Sequence, residues 1–186
     1  MRLFVAVTPP GEVIEELRIV TAGLHELAPD LRWTPPEQWH VTLVFLGAVG
    51  DDVVDGLARR LNRAAARHPP LSLSLGSGGR FGHRVLWTGV HGDRDGLRRL
   101  ADSAGAAARR SRLPVEHRPY RPHLTLARAD ASADLRPLVE RLAPWQGLPW
   151  VARRLHLVRS RLGAGPGGSA LHEPIVSWPM TQQRHG

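Results

Sequence analysis

Two four-residue stretches limit what this chain of 186 residues can become. His40-Val41-Thr42-Leu43 and His123-Leu124-Thr125-Leu126 share the pattern His-x-Thr-x, with an apolar residue at each x. Side chains alternate faces along extended backbone. Each stretch therefore sets an imidazole beside a hydroxyl on one face and commits the other face to a core. The two histidines lie 83 positions apart. A fold that uses both must bring distant parts of the chain together, which predicts two similar lobes with these strands facing each other.

The remaining pattern supplies the lobes. Residues 2–8 read as a strand that stops at Pro9-Pro10-Gly11 and is too short for a signal-peptide core. Val13, Ile14, Leu17, Val20, Leu24 and Leu27 have helical spacing, which predicts a helix over residues 11–27. A short strand at 31–34 is broken by Pro35-Pro36 ahead of the first motif strand, 40–46. Asp51 and Asp52 open a helix reaching Arg67, where acidic side chains suit the positive helix end. Residues 71–75 alternate strictly as a strand, 76–79 predict a Gly-rich turn, and 84–91 its partner strand. A helix over 93–112 and a loop over 114–122 lead into the second motif strand, 123–128. A weaker helix (135–142), a long strand (151–162), a Gly/Pro turn (163–168), a last strand (170–178) and a frayed tail (181–186) complete the chain. No stretch is polar enough to be a linker, so residues 1–186 read as one two-lobed domain. The fold class predicted is α+β: two antiparallel sheets in a pseudo-twofold arrangement around a central cleft, with helices packed outside.

Composition narrows the partners. The net charge is +8, from 25 Lys+Arg against 17 Asp+Glu, and every one of those 25 is Arg. A planar donor fork suits phosphate. Arg, Ala, Gly and Pro are abundant together, as a GC-rich coding sequence produces, so the charge permits a polyanionic partner and says no more. The absence of cysteine excludes disulfides and thiolate metal sites and suits a reducing cytoplasm. No apolar run approaches the ~20 residues of a membrane span.

The paired strands suggest acid–base chemistry. Imidazole titrates nearest neutrality. One neutral His can take a proton from an attacking water while one protonated His hands a proton to a leaving oxygen on the far side, which is what in-line displacement at phosphorus needs. A Thr hydroxyl two residues on can hold a non-bridging phosphoryl oxygen. A single His-x-Thr strand is more often structural; two copies with the same alternation are not readily coincidence. A zinc site would want further ligands at recognisable spacing. His172-Glu173 is followed by Pro174, which suits a turn better. A serine hydrolase would want a Gly-x-Ser-x-Gly elbow, which the sequence lacks.

Around these strands the chain resembles the two-histidine (2H) phosphoesterase superfamily, and more narrowly the bacterial and archaeal RNA 2′,3′-cyclic phosphodiesterases, also called 2′-5′ RNA ligases. The similar stretches are residues 2–7, 31–47, 84–90 and 118–128, the last with an Arg-Pro lead-in to its His. The resemblance implies hydrolysis of a terminal 2′,3′-cyclic phosphate to a 2′-phosphomonoester without metal or other cofactor. It implies His40 as proton donor to the leaving 3′ oxygen, His123 as acceptor from water, and Thr42 and Thr125 on the phosphoryl oxygens. The implied partners are RNA ends with a cyclic phosphate or related nucleotides, with no membrane, and the chain is expected to be a cytoplasmic monomer. Two other readings stay open: an RNA-end binding module with little turnover, and an enzyme acting on 2′-5′ linkages or a cyclic-phosphate metabolite.

Supporting residues follow. The family often has Lys after the first motif; here Val44 stands, and alternation puts it on the face of His40 and Thr42, so one basic contact would be missing. Arg128, five past His123 as in the family, could hold phosphate, but strict alternation turns it away unless the strand bulges. Tyr120 and Arg121 could line the cleft rim, and Phe81 could stack on a base. Trp33, Trp39, Trp87 and Trp178 read as core, and the other eight histidines as surface or loop residues.

Overall fold

The computed structural model describes residues 1–182; the last four positions of the predicted tail, 183–186, lie outside the described residues. The strands are β1 (Arg2–Val7), β2 (Arg32–Trp33), β3 (Val41–Ala48), β4 (Leu71–Phe81), β5 (Val85–Gly92), β6 (His123–Arg128), β7 (Trp150–Ala152), β8 (Arg154–Arg161) and β9 (Leu171–Pro179). The helices are α1 (Gly11–Leu27), α2 (Asp51–Ala66), α3 (Arg94–Arg110) and α4 (Arg136–Leu142). The strands form two antiparallel sheets, ordered β3-β1-β8-β9 and β2-β6-β5-β4-β7. The architecture is the α+β one that the sequence predicts. Each sheet takes strands from both ends of the chain, so neither lobe is a contiguous segment.

Alternation puts Leu3, Val5, Val7, Val41, Leu155 and Leu157 of the first sheet, and Leu73, Leu75, Leu86, Val90, Leu124 and Leu126 of the second, in one buried core. Each such side chain contributes roughly 1.5–3 kcal/mol by leaving water. Helices α2 and α3 pack on each other and cover the first sheet through β3, β8 and β9; α4 covers β4 and β5, and α1 packs against α4. Local signals set the helix starts. The Pro10 carbonyl accepts from the Val13 and Ile14 N–H groups, both at 3.0 Å, and Asp93 Oδ1 accepts from the Gly96 N–H at 2.9 Å.

Three predicted details are corrected. Residues 76–79 are not the hairpin turn but the bulged middle of β4. Gly76 pairs with Gly89 and Gly79 with Trp87, so Ser77 and Gly78 together oppose Thr88, whose hydroxyl donates to the Ser77 carbonyl at 2.7 Å. The chain reverses at 82–84, where Gly82 takes φ +56°. Second, the long strand over 151–162 breaks at Arg153: β7 pairs with β4 in one sheet and β8 with β1 in the other. Trp150 and Ala152 are buried before the break and Leu155 and Leu157 after it, with Arg153 and Arg154 both exposed between them, so the alternation slips by one residue at the change of sheet. Third, His172-Glu173-Pro174 is not a turn. It lies in β9, an edge strand, where Pro costs no ladder bond.

Candidate active site

The motif strands β3 and β6 belong to different sheets and approach each other where β3 forms a sheet edge. Both carry a bulge at the same place relative to their histidine. Val5 pairs with Val44 and Ala6 with Thr42, leaving Leu43 unpaired against β1. Leu86 pairs with Ala127 and Trp87 with Thr125, leaving Leu126 unpaired against β5. An extra residue reverses the alternation beyond it. Two sequence readings change as a result. Val44 turns into the core, opposite Val5 and only 9% exposed, so it does not stand at the site in place of a Lys. Phe45 takes that face instead, 65% exposed. Arg128, paired with Val85, comes round to the face of His123 and Thr125. The signal was present in the sequence as two consecutive apolar residues, Leu43-Val44 and Leu126-Ala127, where alternation demands one.

The two imidazoles are held alike. His40 Nδ1–H donates to the Gln38 carbonyl at 2.8 Å, and His123 Nδ1–H to the Arg121 carbonyl at 2.6 Å. A carbonyl can only accept, so Nδ1 carries the proton in each neutral ring and Nε2 is left to take up or release one. The anchors differ. Gln38 is buried, and its side-chain Oε1 accepts from the His172 N–H at 2.6 Å, tying it to β9. Arg121 is exposed in the loop ahead of β6.

Burial lowers the proton affinity of both rings. His40 is pushed down to about 4, first by burial and then by the charges of His172, His123 and Arg128, against the opposing bond to Gln38. His123 is lowered by burial and by Arg128, again against its carbonyl bond. The β3 and β6 strands are in contact, and His123 and Arg128 on the second motif strand lower the proton affinity of His40 on the first.

Other side chains complete the site. The His40 ring lies 4.7 Å from Phe4 and meets His172 edge-on at 5.2 Å. Phe4, Ala6 and Val158 form a small buried cluster apart from the main core, beneath this site. His172 is lowered by burial and by Arg128. The sequence predicts a surface or loop residue here, whereas His172 sits on β9 against His40. His156, on β8, lies with Nδ1 2.6 Å from Ser177 Oγ and Nε2 3.3 Å from Thr8 Oγ1, and is likewise no surface residue. His68 is half-buried against Ser103 Oγ at 2.8 Å; His185 lies outside the described residues. Neither His156 nor His172 repeats the His-x-Thr pattern, so sequence gave no handle on them. Phe81 meets His123 edge-on at 4.8 Å and Trp87 at 5.3 Å. Trp87 is therefore not core: it shares a face with Thr125, 6.0 Å from the His123 ring, lying where Gly79 leaves no Cβ in its way. Trp39 and Trp178 are buried and Trp33 packs against the core, as read. Tyr120 does not offer its hydroxyl to the cleft; the O–H donates to the Thr42 backbone carbonyl at 2.9 Å. Among the described residues no three His, Cys, Asp or Glu side chains gather as a metal-holding group, and no helix is long and apolar enough to cross a membrane.

A two-sheet α+β fold with one His-x-Thr strand from each sheet at a shared cleft defines the class of protein, a two-histidine phosphoesterase fold. The family model of the 2′-5′ RNA ligase superfamily matches residues 6–164, and the chain belongs to that superfamily. The RNA 2′,3′-cyclic phosphodiesterase of Escherichia coli (strain K12) is 30% identical over 184 residues, covering 97% of both chains. The protein of the same name from Geobacillus stearothermophilus is 26% identical over 95% of this chain, which spans 56% of that relative's length. Among solved structures, E. coli LigT complexed with 3′-AMP superimposes with a TM-score of 0.80 at 27% identity, over 97% of this chain and 98% of that one.

Proposed function

We propose that the chain is a hydrolase that opens terminal 2′,3′-cyclic phosphates on RNA to 2′-phosphomonoesters, by acid–base catalysis between His40 and His123 without metal. One two-lobed domain, acting as a monomer, supplies the whole site. The observation that carries the reading is the matched anchoring of two imidazoles from different sheets, each by Nδ1, each leaving Nε2 to exchange a proton. The relatives' names and the 3′-AMP bound by LigT support the substrate class.

In this mechanism His123 Nε2 takes a proton from water as the water oxygen attacks phosphorus. The bond from phosphorus to the 3′ oxygen breaks, and His40 Nε2–H gives its proton to that oxygen. One water is consumed, and solvent restores the two rings. Acid and base each contribute ~10²–10⁴-fold. The Thr42 and Thr125 hydroxyls and the Arg128 guanidinium hold the non-bridging oxygens as negative charge grows. His40 at about 4 is neutral in the empty site near pH 7. The anionic cyclic phosphate offsets Arg128 and raises both imidazoles, so His40 gains its proton as substrate binds. A second reading reverses the roles, with His40 as base; the low proton affinity of His40 in the empty site favours it.

The test is hydrolysis of a cyclic-phosphate-ended RNA in EDTA, with the product phosphate located on the 2′ or 3′ oxygen. A 2′-phosphate made at full rate in EDTA, and lost in both His40→Ala and His123→Ala at unchanged folding, supports the proposal. Full activity in either variant ends it. Tight, salt-dependent binding with no product in a single turnover makes the chain an RNA-end binding module instead. Turnover of a cyclic mononucleotide but not of the oligonucleotide moves the substrate to a nucleotide metabolite.

A further inference from the structure

We infer that Tyr120 is a positioning residue that sets the spacing between the two motif strands, reaching from the loop ahead of β6 to the free edge of β3. The inference rests on the proposed reaction between His40 and His123. Residues 120–123 grip both motifs within four positions. The Tyr120 hydroxyl donates to the backbone carbonyl of Thr42, and the next carbonyl along, that of Arg121, holds His123 Nδ1.

The segment is built to be stiff. It reads Pro119-Tyr120-Arg121-Pro122, and each Pro fixes its own φ and restricts the residue before it. The Tyr120 ring packs against the main core, and burial raises the phenol's pKa, so the hydroxyl stays a donor across the working range. The acceptor needs it. β3 is an edge strand, and a carbonyl on its outer side has no neighbouring strand to satisfy it.

The first motif shows the contrast. Gln38, which holds His40, is bonded to β9 within the same sheet as β3. That bond fixes His40 on its own wall but says nothing of the other wall. Among the described residues, the Tyr120–Thr42 bond is the side-chain hydrogen bond that runs from one motif's segment to the other's. In-line displacement needs both Nε2 atoms within reach of one phosphorus, and a misplacement of about 1 Å can cost ~10²-fold.

Tyr120→Phe keeps the ring and removes only the hydroxyl. With a cyclic-phosphate-ended RNA, kcat is expected to fall at least about tenfold while KM moves less than about threefold, because the phosphate-binding side chains remain on their strands. In the protein without substrate, the NMR titration of His40 is expected to move upward, as His123 and Arg128 retreat and water enters. The groups facing His40 are His172, His123, Arg128 and the Gln38 carbonyl; His172 and Gln38 lie on the same wall, so they do not move with the change. A variant with kcat within twofold of the parent overturns the inference. So does one that loses thermal stability and rate together while its His40 titration stays put, which is what a purely structural contact gives. If the parent protein itself hydrolyses no cyclic phosphate, the proposed function fails. The His40 titration then still decides whether Tyr120 sets the spacing.

Discussion

The two walls of the cleft begin with the same four-residue pattern and part company five residues past the histidine. Both strands bulge three residues on, at Leu43 and at Leu126, and both bulges bring the fifth residue round to the face of its own histidine. On the first wall that residue is Phe45, on the second Arg128. The surroundings differ in the same sense. His40 is enclosed by Phe4 and His172 and held by a buried Gln38, whereas His123 is held from an exposed loop and flanked by Phe81 and Trp87. A duplicated motif fixes where two imidazoles and two hydroxyls go. The residues after the shared bulge decide what each wall contributes: a ring on one side, a cation on the other.

The largest effects test whether the walls divide the proton work as proposed. Replacing either His by Ala should lower kcat for cyclic-phosphate RNA by about 10³-fold or more, since acid or base catalysis is removed outright. A substrate with sulfur in place of the bridging 3′ oxygen breaks the symmetry, because a thiolate leaves without a proton. On it, His40→Ala should regain most of the lost rate and His123→Ala should not. The opposite pattern would assign the base to the first wall. Next in size is a stability effect confined to His40. Its folded-state pKa, about 4, lies below the ordinary 6.5. The unfolded chain therefore binds the extra proton between those values, and stability present above pH 6.5 is lost as pH falls toward 4. His40→Gln removes that loss. Measured by urea unfolding, the variant should gain on the parent by roughly 3 kcal/mol between pH 7 and pH 3; a difference that stays flat would mean His40 is not held neutral by burial.

Much of this was legible in the sequence because alternation and helical spacing are local. The helix over 11–27 and the strand over 123–128 match α1 and β6 residue for residue. His40, Thr42, His123 and Thr125 could be placed on one face each because they precede the bulges. What lay beyond a bulge was misread by strict alternation, as Val44 shows, or left undecided, as with Arg128. A partnership set by folding alone left no trace, since His172 reaches His40 only because β9 pairs with β8; Trp87, by contrast, lies off the core by plain alternation between buried Leu86 and Thr88, with Gly79 leaving room for its ring. The change of sheet at Arg153 did leave a trace, the adjacent pair Arg153-Arg154 where the alternation slips by one residue, which the expectation of one continuous strand passes over.

A smaller effect sharpens the cation on the second wall. Arg128 lowers the proton affinity of His40, His123 and His172 together. Arg128→Ala should cost about 10²-fold in kcat/KM by removing a donor to the phosphoryl oxygens, and should move all three histidine titrations upward in NMR. Arg32 pairs with Arg128 in register on the edge strand β2 but is exposed and bridged to Asp130 at 3.2 Å. Arg32→Ala should change kcat/KM less than about twofold, as exposed pairs contribute little. Equal losses from both would mean that bulk charge, not placement, is what matters.

The smallest effect concerns the ring on the first wall. In the proposed reaction the 3′ oxygen leaves toward His40 and stays on its ribose, so the terminal nucleoside lies on the first wall and water enters from the second. On that proposal the exposed face of Phe45, 6.1 Å from Phe4, is expected to carry the terminal base, and Phe81, edge-on to His123, to border the water's side. Stacking of a base on an aromatic ring is worth ~1–3 kcal/mol. Phe45→Ala should therefore raise KM for a purine cyclic phosphate by about tenfold with kcat kept, and Phe81→Ala should leave KM nearly unchanged. The reverse result would put the ribose against His123, the outcome that also follows if the sulfur substrate rescues His123→Ala. The two measurements must agree, because the wall that protonates the leaving oxygen is the wall that keeps the sugar.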